Sequence, residues 1–595
     1  MKEFLVGIDF GHGETAAWVV PFNGNTEIAP EGNSLRLTSS NKEGERQIWS
    51  VVYKEQGEVY SLEPKGNAFS PITELKGKLH TLSPQKRLAY KKFISLVVER
   101  LLKINQILRW DEAANEWNFD LCIACPTSWN QDEIFEYLQF FNEALSPKNI
   151  QVLWIIKESD AAFFSKLNMV DNNGCTLVID YGSSTIDYTA VENMKKISRD
   201  EWSSKTLGAS AIERFMMRPT DGLEEFKEKY ERAQAIINET GNTHIDIDEI
   251  LRLECRKAKE NLYKDNQRVA NVHFNLKTYI PESPRCIFDY DFDLTADNGF
   301  GEYCKKVQRS FTEFKDNLNR PVDKIILSGG ACVMPWVADM VKEVFDGTRI
   351  VDDQFPQYVV ANGVALYART QLECITEIND VIEKDGDFEE KYKEVWEEEI
   401  YKLLDGPIKK VCNTYGESEE NNSIEFFMNC IRDVIESTVE DSNKKGTFNK
   451  AVQERLCDDI KVIVSDVIKE KLGKVGDETW NVSMPETDSI SIIPIDESLI
   501  EKILNKIQKK LFGIIPTQYW NMRKGRNSKE RKDIVTEALV SWGQRKGKIE
   551  LNDSEYVEAL EGNANTMKEA TKKCAKDTFH QHELFRTTFT SQVIS

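Results

Sequence analysis

The 595-residue chain lacks several features that would decide its class at once. It has no excess of positive charge: 77 Lys and Arg stand against 99 Asp and Glu, a formal net charge of −22. A surface of that sign argues against nucleic acid or an anionic membrane as the main partner. No stretch approaches the roughly 18 uncharged apolar residues of a spanning helix. The apolar run after Lys2 is short and meets Asp9 at once, which is not a secretory pattern. The 12 cysteines follow no metal-ligand spacing. Cys122 and Cys125 form the only close pair. Residues three apart on a strand point to opposite faces, so both read as buried thiols. These absences fit a reducing cytoplasm. A chain of this length is expected to hold two or more domains and a sizeable core.

What is present is a repeated motif. Ile8-Asp9-Phe10-Gly11 returns as Ile179-Asp180-Tyr181-Gly182. Each copy ends an apolar run and is followed by a second β-prone run, Thr15–Val20 in the first and Thr185–Ala190 in the second. Each reads as a strand, a tight turn led by an acid and a glycine, and a return strand. Two such hairpins suggest two related lobes facing each other, each offering backbone amides and a carboxylate to a ligand between them. That layout suits a nucleoside triphosphate and its metal ion.

Further segments carry a resemblance to a known family. Ile123–Asn130 is a strand ending in Pro126 that leads into a helix. Val152–Ala162 ends in Glu158 and alanines. Ile325–Pro335 contains Gly329-Gly330-Ala331. With the two hairpins, in this order over residues 1–372, they resemble the superfamily of actin, Hsp70 chaperones and sugar kinases, with the Hsp70 ATPase domain as the nearest pattern. The resemblance implies an α/β fold with two actin/Hsp70-like lobes (duplicated ribonuclease-H-like lobes) over residues 1–375. It also implies ATP and Mg²⁺ as cofactors.

The resemblance assigns roles residue by residue. Gly11 and Gly13 would let backbone approach phosphate oxygens, and Asp9 would hold water on Mg²⁺. The family has hydroxyl residues after the first glycine, whereas this chain has His12, Gly13 and Glu14. His12 either donates to the γ-phosphate or caps the turn. Glu14 is expected to face out, since a carboxylate facing inward would repel phosphate. This departure bears on hydrolysis rate more than on binding. Gly182, Ser183, Ser184 and Thr185 would cradle the β- and γ-phosphates. Asp180 would orient the attacking or a Mg²⁺-bound water, Asp187 would sit in the metal shell, and Glu158 would stand near both. A lysine that neutralises γ-phosphate charge is expected before Pro126. Lys65 aligns best, with Lys76 and Lys78 as rivals.

At the nucleoside end, Gly329, Gly330 and Ala331 would pass close to base and α-phosphate, Gly208 would be another close-approach glycine, and Lys259 would contact the ribose. The family's acidic partner one turn before Lys259 is replaced by Arg256, its basic neighbour by Glu260, and an adenine-stacking arginine by Val333. The purine cage is therefore partial, and Tyr263 either stacks on the base or packs the helix. Asn130 with Glu133 reads as a structural capping box.

After residue 375 the pattern becomes helical and charged, with apolar spacings of three and four in 387–402, 423–439, 449–472, 499–511, 532–542 and 556–573. Val475–Asp496, with Gly, two prolines and an Ile-Ser-Ile-Ile alternation, reads as a loop or short strand pair. None of the regular short strands of a peptide-binding β-sandwich appears, so the family's peptide-binding function is not carried over. Residues 376–595 are expected to be an all-α C-terminal domain that engages a protein partner or client. The expectation is a slow ATP-hydrolysing conformational switch of chaperone type, with no direct nucleic acid and no membrane partner. A self-associating, actin-like filament former or a small-molecule kinase are the alternatives.

Overall fold

The strands Phe4–Phe10 and Glu14–Pro21 pair antiparallel, with Phe4 opposite Pro21 and Phe10 opposite Thr15. Cys175–Tyr181 and Ile186–Glu192 do the same, which puts Asp180 directly opposite Asp187. Both hairpins are buried almost throughout, which explains their continuous apolar runs in place of strict alternation. A computed structural model describes residues 2–42, 44–64, 66–166, 174–192, 195–199, 202–204, 206–219, 221–264, 268–294, 299–351, 355–385, 388–418, 423–472, 528–543, 564–576 and 589–590. They make a mixed α/β structure that divides into two compact units, Met1–Glu373 with Glu583–Ser595, and Cys374–His582.

The first unit holds two large sheets built on one plan. Phe4–Phe10 pairs in parallel with Phe119–Cys125, which pairs in parallel with Val152–Lys157. Cys175–Tyr181 pairs in parallel with Lys324–Ser328, which pairs in parallel with Arg349–Val351. In each sheet the hairpin's first strand is therefore internal, flanked by its own return strand and by a crossover strand. Short strands extend the edges, giving sheets of seven and five strands. Each sheet has its own core. Phe10, Phe93, Tyr137 and Phe141 pack in the first, and Tyr181, Tyr188, Phe311 and Phe314 in the second.

The helices of this unit are α1 (Pro84–Ile104), α2 (Gln131–Leu145), α3 (Glu158–Ser165), α4 (Ser210–Met216), α5 (Leu223–Glu239), α6 (Ile247–Lys264), α7 (Phe300–Leu318), α8 (Pro335–Val344) and α9 (Val359–Asp385), whose residues from Cys374 on belong to the second unit. α2 starts on the capping box, Asn130 and Glu133 each bonding the other's backbone amide at 3.0 Å. Two glycines bring α9 against the first sheet. A Cβ on Gly363 would lie 1.7 Å from the Ala161 carbonyl oxygen, and one on Gly7 would lie 2.3 Å from the Ala361 oxygen. α3 is thus fixed by a backbone-to-backbone crossing three residues after Glu158.

In the second unit every described residue is helical or a helix end: α10 (Phe388–Glu417), α11 (Ile424–Lys445), α12 (Thr447–Leu472), α13 (Ser528–Gly543) and residues 564–576. The spacing of three and four appears in α11 as buried Ile424, Phe427, Ile431, Ile435 and Val439. Ser423 caps this helix by accepting from the Phe426 amide at 3.2 Å. Aromatic pairs join the helices: Tyr415 stacks on Phe427 with centroids 4.3 Å apart, and Tyr401 on Trp542 at 4.9 Å. The helical signal at 499–511 and the segment Val475–Asp496 lie outside the described residues. Cys122 and Cys125 are both buried, and burial raises both thiols. Among the described residues no helix is long and apolar enough to cross a membrane.

Candidate functional site

The turns of both hairpins open onto one cavity of about 1040 Å³. Its wall includes Asp9, Gly11, His12, Gly13, Lys76, Glu158, Asp180, Gly182, Ser183, Ser184, Thr185, Lys259, Gly329, Gly330 and Ala331. Residues more than 300 positions apart in the chain thereby meet at the C-terminal ends of parallel strands, where α/β sheets bind ligands.

At the centre stands Lys76, 7 % exposed. Its ammonium contacts the Glu158 carboxylate and lies 3.5 Å from Asp9 Oδ1. Burial alone would lower its pKa; Glu158 and Asp9 outweigh burial and raise it. Lys76, one of the rivals weighed from the sequence, is among the described residues the lysine that meets these acids; Lys65 lies outside the described residues. Lys78 contacts Glu133 at the start of α2. Glu158 is the first residue of α3, and its neighbour Ser159 is held by Thr127 through a 2.8 Å hydroxyl bond.

Asp180 faces the same centre, 6 % exposed. Burial, then Glu158, Asp187 and Asp9, push its carboxyl well above the usual range. Asp9 is pushed from 3.8 to about 6, by burial first, with Lys76 opposing and Glu158 adding. Asp187 is buried beside Asp180 rather than on the cavity wall, and it accepts from the Thr185 hydroxyl at 2.6 Å. The Thr185 proton is thus directed to Asp187, and its oxygen lone pairs are what it has left.

Asp9 and Glu158 at the Lys76 ammonium, with Asp180 and Asp187 adjoining them, form an anionic centre in a low-dielectric setting, a site that favours a cation. Among the described residues no three His, Cys, Asp or Glu converge to ligate a metal directly. The donor set suits a hydrated hard cation that keeps most of its water, with Asp9, Asp180 and Glu158 accepting from that water.

The two turns are rigid frames. Ser50 donates its hydroxyl to the Gly11 oxygen at 2.6 Å and its amide to the Gly13 oxygen at 2.7 Å. In the second turn the carbonyls of Gly182, Ser183 and Ser184 accept from Ala209, Ser210 and Gly208 at 2.9–3.1 Å. Gly208 is absent from the cavity wall. Its Cβ position falls 2.1 Å from the Ser184 carbonyl carbon, so its close approach is to the turn's backbone rather than to a ligand. Gly329, at φ 85°, passes 2.4–2.7 Å (by Cβ position) from the Tyr181 oxygen and Asp180 Oδ1. Only glycine fits there, and it keeps the Asp180 carboxylate in place.

Glu14 departs from the sequence expectation, and His12 and Arg256 find their partners within the protein. Glu14 faces the cavity instead of solvent, 3.8 Å from Arg256 and close to Gly330. The cation opposite offsets its charge. His12 directs both ring nitrogens at acceptors in the protein, the Lys76 carbonyl oxygen at 2.9 Å and Glu74 at 3.7 Å. It braces the turn rather than offering a free donor to phosphate. Arg256, read as a lost nucleoside contact, donates to the Gly13 oxygen at 2.5 Å, pairs with Glu260 at 3.0 Å and covers Trp49 at 5.6 Å. Trp49 in turn donates to Glu260 at 3.0 Å. Lys259 pairs with the buried Glu213 of α4 at 2.6 Å, Tyr263 accepts from Trp336 at 3.3 Å, and Val333 is exposed. No single-sequence signal pointed to Trp49, in the short strand Ile48–Trp49, or to Glu74, just past the strand Phe69–Ile72.

The raised Asp9 carboxyl has a consequence for stability. A folded-state pKa raised from 3.8 to about 6 contributes stability that is full below about pH 4 and lost as pH rises through 6. The bound is ~3 kcal/mol, since one unit is worth about 1.36 kcal/mol. Asp9→Asn removes that loss, so its stability relative to the parent is expected to rise between pH 4 and pH 7 in urea unfolding. A flat difference across this range would exclude the assignment.

No protein-family model matches the chain.

Proposed function

We propose that the first unit is a two-lobed, Hsp70/actin-like nucleotide-binding unit. In this reading it holds ATP with Mg²⁺ between its hairpins and hydrolyses it slowly. The observation that carries the reading is the pair of acid-glycine hairpins opening on one cavity around Lys76, Asp9, Glu158 and Asp180.

The turns Gly11–Gly13 and Gly182–Thr185 hold the phosphate groups, and Lys76 neutralises charge that develops on the transferred group. Asp9, Asp180 and Glu158 would hold Mg²⁺ through its water, and the ion would supply charge neutralisation there. Asp180 orients the attacking water, and burial among other carboxylates raises its carboxyl, which makes it a better proton acceptor than an exposed aspartate. Closure of the unit around the nucleotide then acts as a conformational switch. The helical unit passes it to a protein partner, as a chaperone-type ATPase would act on a client. The nucleoside end offers Arg256, Glu260 and Tyr263 in place of a full purine cage.

Lys76→Ala is expected to lower single-turnover ATP hydrolysis by about 10²–10³-fold, with affinity for Mg²⁺–ATP held within about threefold. Turnover equal to the parent would remove Lys76 from the reaction.

A further inference from the structure

Glu74 stands two residues before Lys76 with a left-handed backbone, φ 49°. A non-glycine residue keeps that conformation only where its surroundings hold it. Here the surroundings converge from three elements. From the first hairpin turn, His12 donates Nδ1–H to the Lys76 carbonyl oxygen at 2.9 Å and presents Nε2 to the Glu74 carboxylate at 3.7 Å. From α6, Arg252 meets Glu74 at 3.0 Å. From α4, Arg214 lies at 3.8 Å. His12 above all, with Arg252 helping against burial, holds the Glu74 carboxyl at about 2.

The preceding residue is pinned to the same helix. The Thr73 amide donates to Glu249 at 2.9 Å, and Glu249 lies 3.5 Å from Arg252. Glu249, Arg252, Arg256, Glu260 and Tyr263 recur at spacings of three and four, one face of α6. The far end of that face lines the cavity through Arg256, Glu260 and Tyr263. One helix face therefore touches both the nucleoside end of the cavity and the segment that carries Lys76.

We infer that Glu74 is a positioning residue of the proposed reaction, tying Lys76 and the first hairpin turn to α6 so that occupancy of the nucleoside end sets the Lys76 ammonium. The inference rests on the nucleotide reading above. Glu74 itself touches no ligand; it acts through Lys76 and His12. A helix is stiff along its axis, so a displacement at Arg256 is carried to Arg252 one turn away.

The test compares the full chain with Glu74→Gln and, as a second variant that leaves the Glu74 backbone untouched, Arg252→Gln. Three quantities are measured: Mg²⁺–ATP affinity by calorimetry, single-turnover hydrolysis, and amide hydrogen exchange of residues 11–14 and 74–78 without nucleotide. Both variants are expected to keep affinity within about threefold, to lose about tenfold or more in single-turnover rate, and to exchange 74–78 about tenfold faster. Loss of affinity with unchanged rate, or parental rate and exchange in both variants, overturns the inference. If the parent neither binds nor hydrolyses Mg²⁺–ATP, the nucleotide reading fails by itself. The exchange result then decides whether Glu74 clamps the segment: faster exchange supports the clamp and parental exchange refutes it.

Discussion

Asp180→Asn is expected to cut single-turnover hydrolysis of Mg²⁺–ATP by about 10²–10⁴-fold while raising the melting temperature of the ligand-free protein. Both halves follow from one fact. The Asp180 carboxyl is buried among Glu158, Asp187 and Asp9, and its pKa lies well above the ordinary value. A raised folded-state pKa means that ionisation at neutral pH costs folding free energy. Asparagine keeps the size but carries no charge, so the ligand-free fold is relieved. In the proposed reaction the same substitution removes the group that orients the attacking water. Activity and stability then move in opposite directions, as expected where a site stores unfavourable electrostatics for function. Stopped-flow phosphate release and a thermal melt of the same sample check both. Parental turnover, or a lower melting temperature, would contradict the assignment.

Gly363→Ala should be the most damaging single-methyl change in the first unit. In an exposed helix the change would stabilise by about 1 kcal/mol through propensity. Here the added Cβ lies 1.7 Å from the Ala161 carbonyl oxygen, a backbone atom that cannot swing aside. α3 and α9 must separate, at a cost of about 3 kcal/mol or more. Glu158 begins α3, so the separation also moves a site carboxylate, and turnover should fall with stability. Gly301→Ala in α7 is the control: its Cβ meets nothing within 4 Å. Urea unfolding of both variants measures the contrast. Equal stabilities would mean that the α3–α9 crossing is not the constraint described.

The hairpins and the α2 capping box were legible because each is written locally. An apolar run, an acid, a glycine and a second run specify a strand pair, and Asn130 with Glu133 specifies a helix start. Asp9, Glu158 and Asp180 share a cavity because each sits at the C-terminal end of a strand, and strand ends show in sequence. That Lys76 meets these acids did not show. Lys76 reaches the acids through a segment in which Glu74 adopts a left-handed backbone, and no periodicity reports such a bend. Arg256 and Glu260 read as missing ligand contacts, because a sequence does not reveal that they face Gly13 and Trp49. Gly208 had the right residue type for a close approach, but the backbone it approaches belongs to the chain itself. Long-range partners of this kind depend on how two sheets meet, which local propensity does not encode.

The central claim is that the cavity between the hairpins binds a nucleoside triphosphate together with Mg²⁺. Calorimetric titration of the full chain with ATP, in Mg²⁺ and in EDTA, tests it most directly. The account predicts saturable binding in Mg²⁺ that weakens by about tenfold or more in EDTA, because Asp9, Glu158 and Asp180 face the phosphates without the cation. No saturable heat up to millimolar ATP, or equal affinity with and without Mg²⁺, would contradict it.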